Sequence, residues 1–346
     1  MTVLEPATRQ HRVLLGAVVV IWAVSWPVIK VGVASVPPLW FGCLRYVVAT
    51  ICLFAFVAAR GDLAVPSRSD LRLVALSGAL QMAAFSGLTG LALTILPPGR
   101  ASVLAFSTPL WVVPLAAWRL RERLSKRALF GVGIGLLGVV TIAAPALQRG
   151  GRQVVAYTML LAASAAWAIS IVVVRGHRFD ASPLTLAPWQ MLVAAALLCP
   201  MAIIVEGRAQ AISARGILSL AYVGPVATAF AYWAVVEVGR ALRATTISMA
   251  LLATPGLGLL ISALTLHESV TTGLAAGVIL VAAGIRVAVI EAPASARVAR
   301  RPGNQRRDRR VEGFADRRRV VVVRRSATRS MARSSPSSSG CVERVV

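Results

Sequence analysis

Apolar and polar positions along this chain fall in long blocks, without the short alternation of a half-buried helix or strand. Stretches of about 20 residues, nearly free of charge, are separated by short polar punctuation, and ~20 apolar residues are what a helix needs to cross a bilayer. Ten such runs stand out, at 13–33, 39–59, 71–93, 99–118, 128–147, 154–174, 184–205, 216–236, 245–266 and 271–290. The pattern predicts an all-α polytopic membrane protein with ten transmembrane helices. The first run exceeds the ~7–15-residue core of a signal peptide and lacks a small-residue cleavage site after it, so it reads as a retained span.

The blocks also repeat. Trp22-Ala-Val-Ser25 returns as Trp167-Ala-Ile-Ser170, Lys30 is answered by Arg175, and Pro38-Leu39 by Pro183-Leu184, all at a shift of 145. Further on the shift is 146, matching Thr108-Pro109 with Thr254-Pro255, Glu122 with Glu268, Gly131 with Gly277 and Gly138 with Gly284. A constant offset across unlike residue types marks an internal duplication. It divides the chain into a short N-terminal segment (1–12), a first repeat (13–147), a second repeat (154–290) and a tail (291–346). Each repeat holds five spans. Because five is odd, the second copy enters the membrane from the opposite side, which is the inverted-repeat plan of alternating-access transporters.

Composition agrees: 57% of residues are hydrophobic and 14% charged, far from a soluble domain. The net charge of +24 is unevenly placed: residues 1–290 carry 22 Lys and Arg against 8 acids, and the last 56 carry 15 against 5. Loops expected inside for an inward N-terminus hold fourteen Lys and Arg, and the outer ones six. The positive-inside rule therefore puts both termini in the cytoplasm of a cell-membrane protein. The tail has the composition of disorder, and its arginines suit anionic lipid headgroups; an extension without a selected role is the other reading. Nucleic-acid binding is not expected. Cys43, Cys52, Cys199 and Cys341 form no CxxC and have no His nearby, which argues against a metal site or a disulfide framework. Three lie in spans, as small packing residues.

Taken in order, these residues resemble the ten-span branch of the drug/metabolite transporter superfamily, the family built from two EamA domains. The resemblance rests on Trp22-Ala-Val-Ser-Trp26-Pro27 leading to Lys30, Pro37-Pro38-Leu39 through Leu44-Arg45-Tyr46, Ala101-Ser102 to Thr108-Pro109-Leu110, and Arg121-Glu122-Arg123-Leu124-Ser125. The second half answers with Trp167, Trp189-Gln190, Tyr232, Ala250 to Thr254-Pro255 and His267-Glu268-Ser269-Val270. It covers about 12–290. It implies secondary transport, usually efflux, of small amphipathic metabolites: amino acids, their derivatives or toxic compounds. Glu237, where the family more often has a neutral or aromatic residue, and the Arg/Ser tail depart from the pattern. A non-transporting sensor or scaffold that kept the fold is the competing reading.

Expected cavity residues are Trp22, Trp26, Trp111, Trp167, Gln190 and Tyr232. Trp22, Trp26 and Lys30 share one helix face, and a Trp near mid-bilayer is far from its preferred interface. Lys30, roughly 12 Å beyond Trp22 at 1.5 Å per residue, reaches the outer headgroups; snorkelling explains it, and so would a gate with Arg175 at the inner mouth. Arg45 lies well inside its span and needs a partner or a cavity. Glu268 is expected to pair with Arg45 or Lys30, and Glu122 with an inner cation such as Arg175, as latches that alternate; weak surface pairs are the plainer reading. Pro109 and Pro255 are expected to kink spans four and nine, freeing the carbonyls of Ala105 and Leu251. Gly131, Gly133 and Gly135, with Gly273 and Gly277, are expected to let helices pack closely. No acid lies at the midplane, so Glu237 is the one near-membrane candidate for proton coupling. No phosphate loop or catalytic triad pattern supports an ATP-driven pump or a hydrolase, and no cofactor or metal is indicated.

Overall fold

The computed structural model describes residues 8–121, 124–175, 177, 179–209 and 211–290. Glu122, Cys341 and the Arg-rich tail with its expected lipid contact lie outside them. The regular elements among the described residues are all helices, without strands. We number the helices α1 Arg9–Val33, α2 Pro38–Ala59, α3 Arg68–Ile95, α4 Pro98–Leu120, α5 Lys126–Arg149, α6 Arg152–Val174, α7 Pro183–Glu206, α8 Ala214–Ala241, α9 Thr246–Leu266 and α10 Thr272–Ile290. Among the described residues, α1 to α9 are long and apolar enough to cross a membrane, and α10 is shorter and equally apolar. Their exposed side chains include Val20, Ile51, Phe130, Ile204, Leu218 and Ile279. Such a surface suits lipid and would be an aggregation hazard in water.

Three irregularities recur at the offset seen in the sequence. α3 loosens into a π-helical stretch at Gly78–Ala84 and α8 at Val223–Phe230. α4 is interrupted at Phe106 and Ser107, and α9 at Leu252. Both broken helices end on a left-handed residue, Arg121 at φ 55° and His267 at φ 54°. The prolines therefore do more than kink. Pro109 sits in the first turn of the helix that restarts at Thr108, where its missing N–H costs nothing, and Pro255 follows closely on the restart at Ala253. The Ala105 carbonyl is taken by the Thr108 hydroxyl at 3.0 Å rather than by a wet cavity.

The helices pack so that exchanging the halves preserves the pattern. α1 lies on α8 and α9, as α6 lies on α3 and α4; α2 pairs with α7 and α5 with α10. In the α5–α10 seam Gly131 faces Gly284 and Gly138 faces Gly277, so each glycine meets the repeat partner of the other. A β-carbon on Gly138 would come within 2.7 Å of the Gly277 carbonyl. Gly133 and Gly273, by contrast, face open space. Of the expected close-packing stripe, Gly131, Gly135 and Gly277 lie in the seam, where Gly284 packs on the backbone of both Gly131 and Gly135; Gly138 extends it.

The cysteines require a correction. Cys43 and Cys199 are joined by a disulfide across 156 residues of sequence, with Cα atoms 5.1 Å apart. α2 and α7 run antiparallel, placing the start of one beside the end of the other, a pairing that sequence spacing cannot show. Cys52 is free.

Candidate functional site

α2 and α4 each begin at a proline preceded by a proline, Pro37 and Pro97, neither of which can cap the helix with a side chain. Their first free N–H groups need an acceptor from elsewhere. Glu206, at the end of α7, accepts from Leu39 N at 2.9 Å and Trp40 N at 3.0 Å. Glu268 accepts from Gly99 N at 2.8 Å and Arg100 N at 3.2 Å. At the opposite end of the bundle, buried Asp70 accepts from the N–H groups of Asp180 and Ala181 just before α7. Asp180 in turn accepts from Ser67 Oγ at 2.7 Å and Ser69 Oγ at 2.9 Å, and these hydroxyls hold its carboxyl below the usual range. All three carboxylate clasps join one half to the other.

This changes the expected latches. Glu268 makes no direct ion pair with Arg45 or Lys30, although Lys30 is near enough to attract its charge; it caps α4 by charge–dipole attraction, with Arg100 Nε 3.8 Å away. Lys30 Nζ donates to the Leu93 carbonyl near the end of α3 at 2.6 Å, a contact within the first half. Arg175 is exposed at the end of α6. Glu237 lies 3.9 Å from Arg240, both partly exposed, in a surface pair.

Between the clasps lies a cavity of about 130 Å³, walled by α1, α2, α3, α4, α6, α7 and α8. One water needs ~10–15 Å³ on this measure, so the space has room for a small molecule. It runs from Pro38 at the start of α2 and Gly90 near the end of α3 to Trp167 and Tyr232, past the middle of α6 and α8. Its apolar wall is a relay of rings: Trp26 to Phe106 at 6.2 Å, Phe106 to Trp167 at 6.3 Å, and Trp167 to Phe85 at 4.9 Å, edge to face.

The polar side is made by the π-helical stretches. Widening the helix at Val223–Phe230 turns the Ala227 carbonyl and the Thr228 hydroxyl toward the space, a common use of π-bulges. Trp22 Nε1 donates to the Ala227 carbonyl at 3.1 Å. Arg45 Nε donates to Thr228 Oγ1 at 2.7 Å, and the Thr228 hydroxyl to Val223 O at 2.7 Å. The other stretch contributes Gln81, whose Oε1 accepts from Ser170 at 3.4 Å, and Met82, whose carbonyl accepts from the Tyr46 hydroxyl at 3.2 Å.

Of the expected cavity residues, Trp22, Trp26, Trp167 and Tyr232 line it, and Arg45 joins them. Gln190 stands one bond behind, accepting from the Tyr232 hydroxyl at 3.1 Å. Trp111 is half-buried away from the lining. Sequence reasoning missed Phe41, Gln81, Phe85, Ser86, Thr89, Phe106 and Thr228. The available signal was the hydroxyls and amide inside runs otherwise apolar, since buried polar groups in a membrane are costly unless they serve a partner or a wet space.

A bundle of apolar helices with a part-polar cavity between two matched halves defines a membrane transport protein. The chain belongs to the EamA-like transporter family, whose model matches twice, over 13–144 and 154–290. It is 27% identical over 296 residues to a "Probable amino-acid metabolite efflux pump" of Escherichia coli K12, covering 82% of this chain and 95% of that one. It is 24% identical over 278 residues to the "Uncharacterized transporter YoaV" of Bacillus subtilis 168, covering 79% and 95%. A "Probable terminal-alkyne amino-acid exporter" of Streptantibioticus cattleyicolor is 32% identical over 170 residues, 48% of this chain and 52% of that one. A crystal structure superposes with a TM-score of 0.57 at 21% identity, over 82% of this chain and 98% of that one, a likeness of fold.

Proposed function

We propose that this protein is a secondary transporter that moves small amphipathic metabolites, amino acids or derivatives, or toxic compounds out of the cell by alternating access. The carrying observation is the cavity at the meeting of the halves, aromatic on one side and polar on the other around Arg45. The names borne by the E. coli and Streptantibioticus relatives support this substrate range. Two inverted five-span repeats, 13–147 and 154–290, are supported by the exchange-symmetric packing and by the crossed glycine contacts of α5 and α10. Two states related by that exchange would expose one site to each side in turn.

With both termini in the cytoplasm, the cavity lies toward the outer end, and the Asp70 clasp closes the inner one. Moving the site inward requires that clasp to part. Glu237 is the acid placed to carry a proton if transport is coupled to the gradient, and the Arg240 contact is what protonation would release.

The test is release from proteoliposomes loaded with amino acids and amphipathic toxic compounds, with and without a pH gradient. Gradient-sensitive release of one class, reduced in Glu237→Gln, is the expected result for a coupled transporter. Gradient-insensitive release would mark an exchanger or facilitator. A folded protein that releases nothing would overturn the proposal.

A further inference from the structure

We infer that the cavity selects amphipathic molecules whose charge is a lone carboxylate, and discriminates against the matching zwitterions and cations. The inference rests on reading the cavity as the transport site and narrows the proposed range to its anionic derivatives, free amino acids excluded.

Arg45 is the charged residue among the cavity's lining side chains, and no Asp or Glu stands beside it there. None of the described salt bridges reaches it. Its guanidinium has five N–H donors. One goes to Thr228 Oγ1 at 2.7 Å and another, long at 3.4 Å, to Ser86 Oγ. The Tyr46 ring lies 5.3 Å from its central carbon. Neutral hydroxyls and a ring orient the cation without cancelling its charge. A guanidinium at this depth, with donors to spare, fits the planar two-oxygen geometry of a carboxylate.

An ammonium group finds no such place. The cavity offers an ammonium group no carboxylate, only neutral oxygens, and three of these already hold a donor: the Ala227 carbonyl from Trp22, Gln81 Oε1 from Ser170, and the Thr228 oxygen from Arg45. A second cation would leave its hydration shell and face Arg45 across a low-dielectric space, where like charges repel most strongly. Ring faces offer a cation some return; an uncharged or anionic body uses the Trp26, Phe85, Phe106 and Trp167 wall without the repulsion.

Four molecules sharing one aromatic body separate the cases: 3-phenylpropionate (anion), phenylalanine (zwitterion), phenethylamine (cation) and 3-phenylpropanamide (neutral). Binding to the full chain in nanodiscs is read by quenching of Trp fluorescence, and flux of the same compounds in proteoliposomes. We expect 3-phenylpropionate to bind at least tenfold more tightly than phenylalanine or phenethylamine. Arg45→Gln should abolish that preference while changing amide binding less than threefold, and Arg45→Lys should keep part of it. If Arg45→Gln does not fold, Ser86→Ala combined with Thr228→Val, which frees the guanidinium from its holders, should reduce the preference instead. Equal or tighter binding of phenylalanine or phenethylamine, a uniform loss for all four in a folded variant, or no binding by any of them would overturn the assignment. Selective binding without flux would leave the assignment standing and contradict the transport reading.

Discussion

The halves of this protein meet in two unlike ways. Along α5 and α10 they meet backbone to backbone, with Gly131 on Gly284 and Gly138 on Gly277. Around the cavity they meet through π-helical stretches, interrupted helices, ring edges and single hydrogen bonds. A close-packed backbone seam leaves no room to slide, because the nearest displacement is a clash. A wall of side-chain bonds near 3 Å can be exchanged one for another. The contrast assigns the fixed part of the bundle to the seam and the movable part to the cavity.

The largest effect is expected where the seam is overfilled. Gly138→Leu would drive a side chain into the Gly277 carbonyl and should abolish recovery of monodisperse protein. Gly133→Leu, on the same helix facing open space, should be recovered as wild type. Equal behaviour of the two would break the comparison.

Next is the Glu268 clasp. Glu268→Ala strips two N–H groups of their acceptor, and a lost buried partner costs about 1–3 kcal/mol; the readout is the thermal unfolding midpoint in detergent. The pH dependence sharpens this. Burial outweighs the Gly99 and Arg100 N–H groups, so the Glu268 carboxyl is held above its ordinary 4.5. The folded chain keeps this proton where the unfolded chain has lost it. This carboxyl's contribution to stability therefore falls as pH rises from 4.5 through its folded value. Glu268→Gln, which cannot ionise, should flatten that slope; an unchanged slope would assign it to another group.

The smallest effect belongs to the cavity wall. Trp22→Phe removes the bond to the Ala227 carbonyl and the indole's five-membered ring at the edge of an open space, and should lower stability by about 1 kcal/mol, read from the same midpoint. A loss as large as that of Gly138→Leu would make the cavity wall as structural as the seam.

Much of this was legible in the sequence, for physical reasons. Length and apolarity determine that a run becomes a membrane helix, and a duplicated pattern survives in any residue type, so the helices and their pairing of Trp22 with Trp167 could be read directly. Glu268 misled because its partner is a backbone helix end, not a side chain. The doubled prolines at 37–38 and 97–98 were the overlooked sign that those helices need a distant cap. The π-helical stretches that aim Thr228 and the Ala227 carbonyl have no periodic signature in an all-apolar run. The Cys43–Cys199 bond depends on a pairing of α2 with α7 that only the folded chain reveals.

The halves also differ where the duplication has drifted. Thr108 Oγ1 lies 3.2 Å from Ser164 Oγ, whereas the matching Thr254 hydroxyl is buried without a partner. The first-half position equivalent to Ser164 is Val19, which has no hydroxyl to offer.

Spin-label distances test the central contrast most directly. Gly133, Gly273, Gly16 and Gly239 all face open space and accept a labelled cysteine, with Cys52 and Cys341 replaced by Ala and the Cys43–Cys199 bond kept. The seam pair, Gly133 with Gly273, should give one narrow distance distribution that is unchanged by a compound the protein releases. The cavity-side pair on α1 and α8, Gly16 with Gly239, should shift between two distances when that compound is added. A seam distance that moves as much as the cavity pair, or a cavity pair that stays fixed during measured release, would contradict the account.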